Sequence, residues 1–220
     1  MILLNKHQLT TILFCIFTLI GFCLTAIIMK MNGFAYFDRV IISFLQGPET
    51  PTLTTIMKFF SHLGSFKWIQ LQALIFCIFT FVVFRHRSEI VLLFILAYGE
   101  RYLNRVIKGF FKRERPEFNR LIEIGGYSFP SGHAMNAMAF YGIIVFLLWK
   151  HIPSRWGRML LLLISSAIIL VIGISRVYLG VHYPSDIIAG YFASGFLIAI
   201  SILIYHKFKE WRDTKALIKK

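Results

Sequence analysis

The stretch MLLLLISSAIILVIGISRVYLGVHYPSDIIAGYFASGFLIAISILIY, residues 159–205, decides the fold of this protein. Residues 159–178 and 186–205 are two almost uninterrupted apolar runs. Each run has the length, about 20 residues, that a helix needs to cross the hydrocarbon core of a bilayer. Polar side chains gather where the two runs meet, among them Arg176, His182 and Asp186. The pattern predicts a membrane-spanning helical hairpin with a polar site at its turn.

The composition of the whole chain agrees with this interpretation. Of its 220 residues 57% are apolar and 15% are charged, whereas a soluble domain has about 25% charged residues. So hydrophobic a chain is not disordered, and a core of this size cannot hide so much apolar surface from water. The 24 Lys and Arg residues against 10 Asp and Glu give a net charge of +14. Cytoplasmic loops, contact with anionic lipid, or an anion-binding site would each explain this charge.

Four further apolar runs lie at residues 10–29, 66–84, 90–111 and 131–149. We therefore predict an all-α fold, a polytopic membrane bundle of six transmembrane helices that forms one domain over residues 1–220. The third run is the unusual one, because its second half carries the polar residues Glu100, Arg101, Asn104, Arg105 and Lys108. Charged groups at membrane depth usually face a bundle interior or a cavity.

The segment between the first two runs is amphipathic rather than uniformly apolar. Apolar residues recur at helical spacing on both sides of Gly47-Pro48: Phe37, Val40, Ile41, Phe44 and Leu45, then Leu53, Ile56, Met57 and Phe60. The spacing predicts two short amphipathic helices that lie in the membrane interface. They would either pack there or cover a site that opens to the membrane.

The short loops predict the orientation. Six spans put both termini on one side of the membrane. Residues 85–88 and 150–158 carry five cations and no acid, namely Arg85, Arg87, Lys150, Arg155 and Arg158. Because cytoplasmic loops are enriched in Lys and Arg, we predict a multi-pass protein of the cell membrane with both termini in the cytoplasm. The end of the third run, the start of the fourth and the junction of the last two then share the extracytoplasmic face.

Two of these outer segments are suited to binding an anion. In the first, Lys108 precedes Arg115 by seven residues, and Pro116 places Arg115 beyond the helix end. A basic loop of this kind could equally lie against lipid headgroups. In the second, Pro-Ser-Gly-His at residues 130–133 leads directly into an apolar helix, whose first N–H groups form a natural anion site. His133 could donate a proton there, although Ser131 is also an ordinary helix cap.

The third outer segment pairs a histidine with a carboxylate. Ser175 and Arg176 are followed after five residues by His182 and after three more by Asp186, one helical turn further on. A carboxylate that holds one imidazole nitrogen leaves the other free to act as a nucleophile. A metal site of His133, His182 and Asp186 is the rival interpretation, but nearby cations would repel a metal ion and attract a phosphate. The three segments together predict an anion site.

These residues resemble the signature of the type-2 phosphatidic acid phosphatase superfamily, the lipid phosphate phosphatases. The pattern K-x(6)-R-P, then P-S-G-H, then S-R-x(5)-H-x(3)-D is complete in segments 108–116, 130–133 and 175–186. The resemblance implies that His182 attacks phosphorus and forms a phosphohistidine, that Asp186 orients it, and that His133 protonates the leaving oxygen. The implied phosphate-binding residues are Lys108, Arg115, Ser131, Gly132 and Arg176. No metal or other cofactor is expected.

The resemblance also implies a function, a metal-independent phosphatase acting on a lipid phosphomonoester or diphosphate at the extracytoplasmic face. Phosphatidylglycerol phosphate, undecaprenyl diphosphate and phosphatidic acid are the candidate substrates. The alternatives are a lipid phosphotransferase with the same site and a non-enzymatic anion or lipid transporter. Expected partners are the lipid phosphate substrate and membrane lipid, with no nucleic acid and no obligate protein partner. Glu100 and Asn104 are either a second layer that positions Lys108 or, for Glu100, half of an ion pair with an arginine.

Overall fold

The computed structural model describes residues 6–84, 88–117 and 119–218, and the regular secondary structure in this part of the chain is entirely helical. Arg85 and Arg87, on which the predicted orientation partly rests, lie outside it. The described helices are α1 (Lys6–Lys30), α2 (Ala35–Gln46), α3 (Pro51–Leu63), α4 (Phe66–Phe84), α5 (Ser88–Phe111), α6 (Gly132–Trp149), α7 (Arg155–Tyr178) and α8 (Pro184–Ile218).

Five of the described helices are long and apolar enough to cross a membrane: α1, α4, α6, α7 and α8. They match five of the six predicted spans. Their outward surfaces carry large apolar side chains that would be unfavourable in water, for example Phe17 on α1, Val82 on α4 and Leu163 on α7, each more than half exposed. The all-α membrane fold expected from the sequence is confirmed at this level.

Helix α5 corresponds to the third predicted run but is not among those five. It has 24 residues, hence a length of about 36 Å at 1.5 Å per residue, which is enough to cross a bilayer. Its four charged residues between positions 100 and 108 lower its mean hydropathy. The first half of α5 packs through Leu92, Leu93 and Leu96 against Ile143 of α6 and Cys77 of α4.

Helices α2 and α3 are the two short amphipathic helices predicted between the first two spans. A non-helical stretch at residues 47–50 separates them. Their orientation is a finding of the structure. On α2, Val40 and Phe44 of the predicted apolar stripe are exposed, whereas Asp38 is buried and Ile42 packs toward the protein. The protein-facing side of α2 is therefore the one that carries a carboxylate.

Helix α8 holds the bundle together and fixes the start of the last span. Its small residues allow close packing: a Cβ on Gly195 would lie 2.8 Å from Thr18 of α1, and one on Gly190 would lie 3.0 Å from the carbonyl oxygen of Ser131. Ser194 also donates a hydrogen bond to the carbonyl of Met135 on α6 (2.9 Å). The second and third turns of α8 are thus packed against the start of α6.

Candidate active site

Four helix ends meet at one end of the bundle and bring the three polar segments together. Lys108 lies in the last turn of α5, Ser131 caps α6, Arg176 lies in the last turn of α7, and Asp186 lies in the first turn of α8. The backbone N–H of Ser131 donates to the carbonyl of Asp186 (3.0 Å), which joins the second and third segments directly. The loop after α5 adds Arg115.

His182 is held between a carboxylate and a guanidinium. Its Nδ1 lies 3.3 Å from Oδ2 of Asp186, and its Nε2 lies 3.2 Å from Nη1 of Arg115. A carboxylate accepts and a guanidinium only donates, so one neutral tautomer satisfies both neighbours: Nδ1 carries the proton and Nε2 keeps its lone pair. This tautomer is assigned from the hydrogen bonds, and it is the one a nucleophile requires.

The surroundings of His182 favour its neutral form. Burial lowers the pKa of His182 well below its usual 6.5, and the positive charges of Lys108, Arg115 and Arg176 lower this pKa further. The imidazole is therefore uncharged at neutral pH. Because a protonated imidazole has no free lone pair, the same cations that attract an anion keep the ring ready to attack it.

Backbone carbonyls hold the two cations of the first segment. The Lys108 ammonium donates to the carbonyls of Tyr127 (2.5 Å) and Ser128 (3.1 Å). The Arg115 guanidinium donates to the carbonyls of Gly125, Gly126 and Val181, at distances of 3.2, 3.0 and 2.7 Å. Burial lowers the pKa of Arg115. Neither cation has a carboxylate as its direct partner among the described residues, so both charges remain available to an anion.

Arg176 is a buried cation whose hydrogen-bond donors are only partly satisfied by the described residues. It is 1% exposed, and its Nη1 donates to the hydroxyl of Ser61 on α3. Its Nε and Nη2 are buried and have no hydrogen-bond partner in the described part of the chain. A buried cation with free donors is costly unless an anion satisfies it. Phosphate oxygens match the planar arrangement of these donors.

The Pro-Ser-Gly-His segment forms the start of α6, and its residues have different structural roles there. The Ser131 hydroxyl accepts from the N–H of Ala134 (3.5 Å), as expected for a helix cap. Gly132 is needed for space, because a Cβ there would lie 3.1 Å from Oδ1 of Asn104. His133 lines a cavity of about 510 Å³ together with Lys108 and Gly132. This cavity offers room beside the phosphate site for a leaving group.

Asn104 and Glu100 lie along the same cavity but have different surroundings. The Asn104 amide donates to the carbonyl of Pro130 (3.2 Å) and to the sulfur of Met135 (3.1 Å). Asn104 therefore supports the start of α6, and its contacts are not to Lys108. Glu100 is 2% exposed, and no arginine lies within ion-pair distance of it in the described residues.

The structure adds residues that the sequence reasoning missed. Arg113 lies two positions before Arg115 and contacts the far side of Asp186 (2.6 Å). Its second partner is Asp38 on α2 (2.9 Å). Asp38 carried one faint signal, since it lies four residues from both Phe34 and Ile42 and so shares a face with apolar residues. Ser61 gave no signal.

His133, His182 and Asp186 were the rival metal-binding set. Within the described ranges, no group of three or more His, Cys, Asp or Glu residues has an arrangement that could hold a metal ion. The charged groups around His182 are the cations Lys108, Arg115 and Arg176 and the carboxylate of Asp186. Fold and site together define a polytopic membrane protein whose helix ends, with the loop after α5, bring Lys108, Arg115 and Arg176 close to a buried histidine.

Comparisons with known proteins identify the family. The sequence profile of the PAP2 superfamily matches residues 88–210, so the chain belongs to that superfamily. It is 36% identical over 196 residues to phosphatidylglycerophosphatase B of Bacillus subtilis, covering 87% of this chain and 95% of the relative. It is 29% identical to an undecaprenyl-diphosphatase of Sulfolobus acidocaldarius, covering 84% and 88%.

A solved structure shows the same fold. The crystal structure of a transmembrane PAP2-type phosphatidylglycerolphosphate phosphatase from Bacillus subtilis superimposes with a TM-score of 0.79 at 29% sequence identity. The match covers 89% of this chain and 96% of that one. The resemblance inferred from the three segments is therefore confirmed at the level of family and fold.

Proposed function

We propose that this PAP2 phosphatase hydrolyses a lipid phosphomonoester or diphosphate at the extracytoplasmic face of the membrane, through a phosphohistidine intermediate. The observation that carries the proposal is the buried Arg176 guanidinium, two nitrogens of which have no partner among the described residues and which is close enough to His182 to lower the pKa of that histidine. An anion bound by Arg176, Arg115 and Lys108 would place its phosphorus beside Nε2 of His182.

The chemistry follows from these positions. The lone pair of His182 Nε2 forms a bond to phosphorus while the bond from phosphorus to the leaving oxygen breaks, and His133 gives its proton to that oxygen. The positive charge that develops on the imidazole is stabilised by Asp186. His133 then takes a proton from water, and the water oxygen bonds to phosphorus while the bond between phosphorus and Nε2 breaks, which releases phosphate and returns the electron pair to His182. The three cations stabilise the charge on the equatorial oxygens.

We propose α5 as the sixth span, with both termini in the cytoplasm. The charges of α5 have neighbours that make this placement favourable. Glu100 is buried, and the guanidinium of Arg101 lies 3.9 Å from the ring centroid of Phe66 at the start of α4. A long side chain that reaches toward the interface reduces the cost of a charge near the membrane.

The relatives suggest where to begin the search for the substrate. Phosphatidylglycerol phosphate comes first because the Bacillus relative that spans nearly the same length is named for it. Undecaprenyl diphosphate and phosphatidic acid follow. The 510 Å³ cavity beside His133 combines the aromatic Phe66 and Tyr127 with the cations Arg101 and Arg105, a lining suited to a lipid with a further anionic group.

Phosphate release from these three lipids by detergent-purified protein in the presence of EDTA tests the proposal. We expect one lipid to be preferred and activity to persist with EDTA. His182→Asn and His133→Asn should each abolish turnover. Because a bond between phosphorus and an imidazole nitrogen is hydrolysed by acid but survives alkali, an alkaline quench of the unaltered protein after brief reaction should retain labelled phosphate on His182. Turnover by His182→Asn, or transfer to another lipid instead of release, would contradict the proposal.

A further inference from the structure

Behind His182 lies a charge network that links Asp186 to residues that the signature does not specify. Arg113 bridges two carboxylates: its Nη1 donates to Oδ1 of Asp186 (2.6 Å), and its Nη2 donates to Oδ2 of Asp38 (2.9 Å). Asp38 belongs to the short helix α2 and is 2% exposed. A chain of direct contacts thus runs from α2 through Arg113 and Asp186 to Nδ1 of His182.

Ser185 closes this network into a ring. Its backbone N–H donates to Oδ1 of Asp38 (2.9 Å) and its hydroxyl donates to Oδ2 of the same carboxylate (2.7 Å). Nη1 of Arg113 also donates to the Ser185 hydroxyl (2.8 Å). The guanidinium lies 3.9 Å from the ring centroid of Tyr183. The plane of Arg113 is therefore fixed by two carboxylates, a hydroxyl and an aromatic ring.

The two carboxylate oxygens of Asp186 have different partners. Oδ2 faces His182 and accepts from the Tyr183 backbone N–H (3.0 Å), while Oδ1 faces Arg113. A guanidinium on the far oxygen favours the ionised carboxylate and sets its rotation about the side chain. Asp38 holds the other edge of Arg113 and so restricts the rotamer freedom of an arginine that lies on a loop.

We propose that Arg113 and Asp38 are positioning residues for the nucleophile: helix α2 aligns His182 through Asp38, Arg113 and Asp186. This inference rests on the proposed phosphohistidine chemistry and adds to it two residues outside the signature. Neither residue contacts the phosphate. They act by holding Asp186 ionised and correctly turned, so that it stabilises the positive charge that forms on His182 when Nε2 bonds to phosphorus.

The test compares Asp38→Asn and Arg113→Lys with a matched control, Arg39→Gln. Arg39 is the exposed neighbour of Asp38 on α2 and lines the same cavity as Asp38 and Arg113. We expect kcat to fall about 10–100-fold in the first two variants, with KM changed by less than about threefold, as for residues that orient a catalytic group. Arg39→Gln should leave both constants unchanged.

Two further measurements separate positioning from mere stability. The double variant Asp38→Asn/Arg113→Lys should be no slower than the slower single variant, because both changes break one connection. In Arg113→Ala, added methylguanidinium should restore part of kcat, since the missing group borders an open cavity of about 810 Å³. If the folded fraction alone falls while kcat per folded molecule is unchanged, the residues are structural and the inference is wrong.

Exchange of heavy oxygen between labelled inorganic phosphate and water provides a readout that needs no particular lipid. It requires reversible formation of the phosphohistidine. If the unaltered protein neither exchanges oxygen nor hydrolyses any lipid phosphate, the proposed function fails and this inference fails with it. If the unaltered protein exchanges oxygen and Asp38→Asn and Arg113→Lys exchange it equally fast, only this inference is overturned.

Discussion

Replacing Gly180 by alanine should force apart the third signature segment and the backbone of residues 119–121. Gly180 has a φ of 71°, in the left-handed region that disfavours a Cβ. An added Cβ would lie 2.4 Å from the carbonyl oxygen of Asn119 and 3.0 Å from Cα of Arg120. These are backbone atoms, and the N–H of Leu121 ties the same stretch to the carbonyl of Leu179 (3.1 Å). No side-chain rotation relieves the clash.

Alanine variants of two other glycines distinguish the cost of placing a Cβ on a left-handed backbone from the cost of the steric clash. Gly126 also has positive φ, 75°, but a Cβ there meets nothing within 4 Å; Gly125 has neither constraint. A left-handed residue with a Cβ costs about 1–2 kcal/mol, and overpacking costs about 1–3 kcal/mol more. We therefore expect destabilisation of about 2–5 kcal/mol for Gly180→Ala and about 1–2 kcal/mol for Gly126→Ala. Gly125→Ala should change the free energy of unfolding by less than about 0.5 kcal/mol.

Thermal unfolding in detergent, read together with phosphate release, measures these effects. One kcal/mol corresponds to about 2–4 °C in Tm for a chain of this size, so Gly180→Ala should lower Tm by about 4–20 °C. Its kcat/KM should also fall, by up to about 100-fold, because Arg115 donates to the carbonyl of the adjacent Val181. Equal Tm values for Gly180→Ala and Gly126→Ala would refute the argument, since they would show that the 119–121 backbone yields without cost.

Three further predictions concern the site itself. Because the pKa of His182 lies well below 6.5, the acid limb of kcat/KM, where the nucleophile becomes protonated, should be centred below that pH, and a second decline at higher pH should follow the loss of the His133 proton; an acid limb centred above pH 6.5 would contradict this. Arg176→Gln should lower kcat/KM about 10²–10³-fold, and phosphate at about 100 times its Kd should stabilise the unaltered protein by about 2.7 kcal/mol but not this variant; equal protection of both by phosphate would show that Arg176 does not bind it. Asn104→Leu removes the donor to the Pro130 carbonyl and should lower kcat about 10–100-fold; wild-type kcat in this variant would show that the start of α6 needs no such support.

Much of the fold could be predicted from the sequence because the deciding signals are local. An apolar run of about 20 residues can be recognised as a membrane span from its own length and composition, wherever it lies in the chain. The break between α2 and α3 is equally local, since Thr50 and Pro51 form a helix start where the Thr50 hydroxyl accepts from the Leu53 N–H (3.2 Å). Helix α5 was also predicted, as the third run, and the structure has it as a helix of 24 residues, whereas its crossing of the membrane stays a prediction.

The spacing of the signature also determined part of the site. His182 and Asp186 are one helical turn apart, so their pairing needs no information from elsewhere in the chain. The cap formed by Ser131 is local in the same way. These residues were identified from the sequence because each contact joins residues no more than four positions apart, at the start of a helix.

Only the tertiary structure decided which distant partners complete that site. Arg113 meets Asp38 across 75 residues of sequence, and Arg176 meets Ser61 across 115. Nothing near Asp38 distinguishes it from an ordinary surface acid at the edge of an apolar stripe, and Ser61 has no motif at all. The spacing of apolar residues along the chain indicates which face of a helix is apolar. Which two charged residues from distant helices come into contact depends on how the helices pack against one another. For that reason the sequence alone determined the membrane helices and the reacting histidine, and the packing of α2 and α3 against α7 and α8 determined what holds that histidine and its arginine in place.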